Sequence, residues 1–201
     1  MAAWRRTVWR SVFCASTALA MGAWGGCGVE DGDAEHAVAQ ADALAATISF
    51  QNGVAPTTSY AGTADAVLEE ARPTTNAGSD PTMRVDMDYP SGTGNAATAV
   101  LRFDLSAIPA ASKVNSASLT INVTNATGGE GYTLYALNRA WDEATATWNT
   151  ARSGSAWSPG GARGANHGTT PLGVLLPTNA GKYTLSLNAD GVRVIEGWVA
   201  S

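Results

Sequence analysis

Cysteine is almost absent: Cys14 and Cys27 are the only two in 201 residues. From position 28 onward there is none, so no disulfide staples that part and thiol chemistry is excluded there. Stability must come from an apolar core, which a domain of about 155 residues is large enough to build. Histidine is equally scarce, with His36 and His167 alone. No Gly-x-Ser-x-Gly elbow, P-loop, His-x-x-x-His or Cys-x-x-Cys occurs, and His167 lies in a Gly-rich stretch with no nucleophile motif beside it. The usual hydrolase triad, nucleotide and zinc arrangements therefore lack their parts. Charged residues make up only 14% of the chain, and the net charge is −5. Without Arg5, Arg6 and Arg10 at the N-terminus the balance is more acidic still, which argues against nucleic acid and anionic membrane surfaces as partners.

What is present begins with those three arginines. They precede an apolar, small-residue run from Ser11 to about Trp24, the pattern of an export signal, and too short and Gly/Ser-rich for a membrane span. Two cleavage readings stand: Ala18-Leu19-Ala20 for ordinary signal peptidase, or Trp24-Gly25-Gly26-Cys27 as a lipobox that would acylate Cys27. The paired arginines also fit a twin-arginine signal. Residues 1–27 are thus expected to be a signal peptide with a candidate lipobox. Residues 28–46, acidic and free of large aromatics, read as a disordered tether that includes His36. The expected location is extracellular or on the outer surface of a bacterium, with any membrane contact made through a lipid on Cys27.

From Thr47 the pattern changes to period two. Ala117, Leu119, Ile121 and Val123 alternate with Ser116, Ser118, Thr120, Asn122 and Thr124. Leu101, Phe103 and Leu105 alternate with Arg102 and Asp104, and Met83, Val85 and Met87 with Arg84, Asp86 and Asp88. Such alternation places one apolar face per strand against a core. Strands are expected at Thr47–Gln51, Asp65–Glu69, Thr82–Asp88, Thr98–Leu105, Asn115–Thr124, Tyr132–Asn138, Leu172–Leu176 and Lys182–Leu187. Turn-forming runs such as Ser91-Gly-Thr-Gly94 and Asn179-Ala-Gly181 separate them. Asn149 to Thr170 reads as a long irregular excursion. Val192, Ile195 and Val199 fit a short helical turn beside Trp198. The fold class is all-β, an antiparallel two-sheet sandwich.

LRFDLSAIPAASKVNSASLTINVTN followed by WDEATATWN resembles the DNRLRE domain, also classed as carbohydrate-binding module family 96. Trp141, Glu143, Thr147 and Trp148 fit that family's Trp-x-Glu-x-x-x-Thr-Trp motif. Trp157 with Pro159, Gly160 and Gly161 fits its later Trp and Pro-Gly-Gly turn, and DAVLEEARPTTNAGSDPTMRVD fits its opening. The resemblance spans roughly Thr47 to Trp198. It implies a jelly-roll topology over residues 47–201, with the family's last hairpin missing. It also implies a secreted, non-catalytic module that binds a polysaccharide, acidic ones such as alginate included.

Sugars stack their C–H faces on exposed aromatic rings, so the tryptophans matter most for a binding site. Trp141 and Trp148 are expected in the core. Trp157, in the irregular loop, is the candidate platform, with Tyr60 and Tyr89 as further loop aromatics. Arg84 and Arg102 would form a basic strip for uronate carboxylates if they face outward on adjoining strands. The alternative is that Arg84, Asp86, Arg102 and Asp104 neutralise one another across the strands. The candidate ligand-binding residues are therefore Trp157, Arg84, Arg102 and Tyr89. Asp86 and Asp88, ahead of a Pro-Ser-Gly turn, are weak calcium candidates, and no other cofactor is expected. Glu69, Glu70, Asp142 and Glu143 offer carboxylates for glycoside chemistry, but neighbouring acids on one strand point to opposite faces, and no enzyme is expected. Two other readings remain open: a structural or adhesion module without a sugar site, and a truncated remnant.

Overall fold

The computed structural model describes residues 2–5 and 10–16 by their backbone, and residues 45–126 and 130–201 in full. Its longest strand is β7 (Lys113–Asn125). Alternation there buries Val114, Ala117, Leu119, Ile121 and Val123, as the period-two pattern requires. On one edge β7 pairs with β12 (Gly181–Ser186), antiparallel, with Leu119 opposite Leu185. On the other edge it pairs with two N-terminal strands, β2 (Arg10–Ser16) and β1 (Ala2–Arg5). β3 (Ala45–Phe50) extends this sheet beyond β2, and β5 (Thr82–Val85) extends it beyond β1. The segment read as a leader thus contributes both inserted strands.

The facing layer is built on β4 (Thr63–Glu69) paired with β6 (Ala97–Phe103), with a bridge from Asp86 to Ala97 leading into β5. Val67, Ala99 and Leu101 turn inward and meet Leu119, Ile121, Val123 and Leu185 of the first sheet. This is an all-β sandwich, as expected. Two short strands, β8 (Tyr132–Leu134) and β11 (Gly173–Leu175), pair at one side of that core. All eight strands expected from the sequence are present, several of them shorter.

Two elements depart from the expectation. The C-terminal turn is an 11-residue helix, α1 (Ala189–Val199), capped by Asn188, whose side chain accepts the Gly191 N–H at 2.9 Å. Ile195 and Val199 close a second cluster with Phe50, Ile108, Val114 and Ala117. The excursion from Asn149 to Thr170 is not loose. It contains a small hairpin, β9 (Thr150–Arg152) and β10 (Ser155–Ala156), and lies over the outer face of β4 and β6. That face presents Ala64, Ala66 and Val100, and the small alanines leave room for three indole rings. Every residue of β4 is buried for this reason.

Candidate functional site

The cap over β4 and β6 is assembled from the tryptophan-rich segment. Trp141, Trp148 and Trp157 are 6%, 6% and 4% exposed, and all three pack with Ala64, Ala66 and Leu68. Trp157 is therefore not a platform, which corrects the sequence-based expectation. Its indole N–H donates to the Thr147 carbonyl at 3.0 Å, and the loop that carries it folds back under the hairpin. Thr147 anchors the turn below: its Oγ1 accepts the Asn149 and Thr150 amides. Gly160 and Gly161 lie flat against the Trp148 ring, leaving no room for a Cβ at either position. Arg163 stacks on the Trp148 ring, 4.6 Å from its centroid. Glu143 ties the cap to the sheet, its Oε1 accepting the Asp65 N–H at 3.1 Å and its carbonyl accepting the Asn76 amide at 2.8 Å.

The residues of the Trp-x-Glu-x-x-x-Thr-Trp stretch thus form one substructure with the Pro159-Gly160-Gly161 turn, seated on a sheet of the expected kind. The family description "Carbohydrate-binding module family 96" matches residues 56–158. The chain belongs to this family. No curated protein and no solved structure matched the chain. The family 96 signature residues here serve architecture: each of the three indoles lies inside the cap.

The arginines are not joined in one strip. Arg84, on β5, donates to Glu69 Oε1 at 2.6 Å and lies 3.7 Å from the centroid of the Tyr89 ring. Glu69 is buried, and Arg72 holds its other oxygen. Arg84 and Tyr89 thus cover one another while Arg84 neutralises a buried carboxylate, so neither offers an open surface. Arg102, at the end of β6, behaves differently. It stands opposite Ala64 on the cap side, is exposed, and reaches over Trp141 at 5.6 Å from the ring centroid. It lines a cleft of about 400 Å³ together with Ala61, Gly62, Thr63, Ala64, Asp104 and Glu143.

That cleft is held rigidly. A Cβ on Gly62 would come within 2.5 Å of Asp104 and 2.8 Å of the Tyr60 ring, so only glycine lets the chain pass there. Tyr60 donates its hydroxyl proton to the Asp104 carbonyl at 3.1 Å. Asp104 Oδ1 accepts the Ser106 N–H at 2.9 Å, and hydrogen bonding from Ser106 holds this carboxyl below the usual carboxylate range, with Arg102 adding to the effect. Sequence reasoning put Arg102 among the site residues but not Asp104 or Glu143. The i, i+2 spacing of Arg102 and Asp104 at a strand end was a usable signal, whereas the approach of Glu143 depends on how the cap folds back.

Asp86 and Asp88 belong to a second cleft of about 350 Å³ that includes Met87, Ser91, Glu130 and Tyr132. Asp88 accepts the Gly92 and Gly94 amides, each at 2.7 Å, and these bonds hold its carboxyl below the usual range. Asp86 Oδ1 accepts the Asp88 N–H at 2.8 Å. Asp88 therefore shapes the Ser91–Gly94 turn, and Asp86 holds the backbone of Asp88. Among the described residues no group of three or more His, Cys, Asp or Glu side chains is arranged to hold a metal ion. The residue pattern also missed Trp198: at 48% exposed on α1, it is open, unlike Trp141, Trp148 and Trp157. Cys27 and residues 28–44 of the expected linker lie outside the described residues, whereas its last two, Ala45 and Ala46, begin β3.

Proposed function

We propose that this family 96 domain is a non-catalytic, exported module that holds a polysaccharide chain in the Arg102 cleft. The observation that carries the proposal is the contrast between the two arginines. Arg84 is occupied by a buried glutamate, whereas Arg102 is exposed, meets no carboxylate of the described residues within ion-pair distance, and stands in a cleft with fixed acceptors on either side. A guanidinium and two carboxylates can donate to and accept from sugar hydroxyls from three directions. With Arg84 unavailable for a basic strip, the cleft suits hydroxyl-rich neutral sugars better than polyuronates.

The apolar run and the small residues before Cys27 support export, with the domain either released or tethered by a lipid on Cys27 and the acidic stretch as spacer. The lack of a nucleophile–base pair in the sequence supports a binding rather than a catalytic role. The rival reading, a structural or adhesion module without a sugar site, draws support from the burial of all three signature indoles.

Affinity electrophoresis against alginate and a panel of neutral polysaccharides decides between them. Retardation by a neutral glycan is expected, with Arg102→Ala weakening it about tenfold or more, equivalent to about 1.4 kcal/mol. Arg84→Ala should lower the melting temperature and leave the affinity of the folded fraction intact. Retardation by none of the glycans would favour the structural module.

A further inference from the structure

β7 needs partners along both edges, and β12 supplies one. On the other edge Arg10–Ser16 pairs with Lys113–Thr120, and Ala3 and Trp4 pair near the far end with Asn125 and Val123. The same Arg10–Ser16 strand is also what links β3 to the sheet, with Ser11 opposite Phe50 and Phe13 opposite Ile48. β3 and β7 are therefore two strand spacings apart, about 10 Å, and share one neighbour. The floor of the gap is apolar, formed by Phe50, Val114, Ala117 and Ile195. Register matches it: Ser11 and Phe13 pair with Leu119 and Ala117, which are buried in the core, while Val12 and Cys14 pair with Ser118 and Ser116, which are not.

We propose that the position between β3 and β7 is a strand-acceptor groove whose occupant in the unprocessed chain is its own Arg10–Ser16. The inference is independent of the glycan site, but it draws on the export reading. The occupant lies upstream of both cleavage positions, so processing removes it. The edges of β3 and β7 would then face each other with unpaired N–H and C=O groups over an apolar floor. Cleavage thus acts as a structural switch from a filled sheet to one that accepts an extended strand antiparallel to β7.

The intact chain provides the test. In a Cys27→Ser, Ser116→Cys variant, Cys14 is the one native thiol, and it faces position 116 directly across the ladder. Opposed positions of an antiparallel pair have Cβ atoms about 4.5–5.5 Å apart, close enough for a disulfide after small adjustment. Mild oxidation is expected to link positions 14 and 116, read by mass spectrometry of non-reduced peptides. A Cys27→Ser, Thr184→Cys control, on the far edge of β7, should stay reduced. Ser116 is exposed, so the substitution should leave the melting temperature unchanged. Free thiols in both chains, or equal linkage in both, would overturn the proposal. A second arm cuts the chain at a protease site inserted between Ala20 and Cys27. Co-elution of the N-terminal fragment with the remainder supports the groove, and its separate elution counts against it.

Discussion

At Gly161 the backbone sits at φ +72°, and an added Cβ would approach the Trp148 ring to 2.3 Å; at Gly154, with the same φ, it would meet nothing within 4 Å. Alanine at either position incurs the left-handed backbone cost of about 1–2 kcal/mol. Gly161→Ala adds overpacking of about 1–3 kcal/mol, so it should lose markedly more stability than Gly154→Ala in urea unfolding. Equal losses would show that the ring yields and the cap is not tightly packed. Trp157→Phe probes the same layer from its polar side. It keeps an aromatic ring but leaves the buried Thr147 carbonyl without its indole donor, at a cost of about 1–3 kcal/mol. Were Trp157 a sugar platform, the substitution would change affinity with little change in stability; the expected result is the reverse.

The helix and strands show how far pattern reading reaches. Asn188→Ala removes the cap of α1 and also the bond its amide donates to the Pro171 carbonyl at 2.7 Å. A loss of about 0.5–2 kcal/mol is expected, and Ile195 and Val199 should loosen with it, read as faster amide exchange at the end of α1. Protection equal to the parent would mean that packing alone holds the helix. The i, i+3, i+7 spacing of Val192, Ile195 and Val199 marked this element, although the sequence reading gave it only a turn, because its first residues, Ala189-Asp190-Gly191, carry no apolar signal. β7 was fully legible, since one of its faces is buried and the other is polar. β4 was legible only in part: covered on both sides, Thr63–Glu69 shows no alternation, and its alanines gave no hint of the indoles above them. The cap was legible only in Trp141 and Trp148, which were expected in the core and lie there; the burial of Trp157 beside them depends on how the segment folds back over β4 and β6. Arg102 was read as forming a strip with Arg84, but Arg84 is turned to Glu69 by a long-range contact that strand periodicity does not encode.

Taken as a whole, the molecule should respond to pH only at the extremes. Asp88 and Asp104 both accept backbone amides that favour their ionised forms, so their folded pKa values lie below the ordinary carboxylate value. The stability they contribute is complete above about pH 4 and is lost as pH falls through the lowered values. Tyr60 and Tyr132 are shifted the other way, raised first by burial, with nearby carboxylates adding to it. Their contribution is complete below a tyrosine's usual value of about 10 and disappears as pH rises through the raised values. Tyr183 opposes them: hydrogen bonds from Thr178 and Asn179 to its hydroxyl lower its pKa, which favours the folded form at alkaline pH. The bonds to the Tyr183 hydroxyl are exposed and weakened by water, so the two phenols raised by burial set the direction, a net alkaline loss. Denaturation midpoints should therefore be level from about pH 5 to 8, fall on both sides, and fall less steeply at high pH in a Tyr60→Phe, Tyr132→Phe double variant. Removing the phenols deletes the groups whose ionisation burial opposes, so an alkaline limb unchanged in that variant would place the loss elsewhere in the chain.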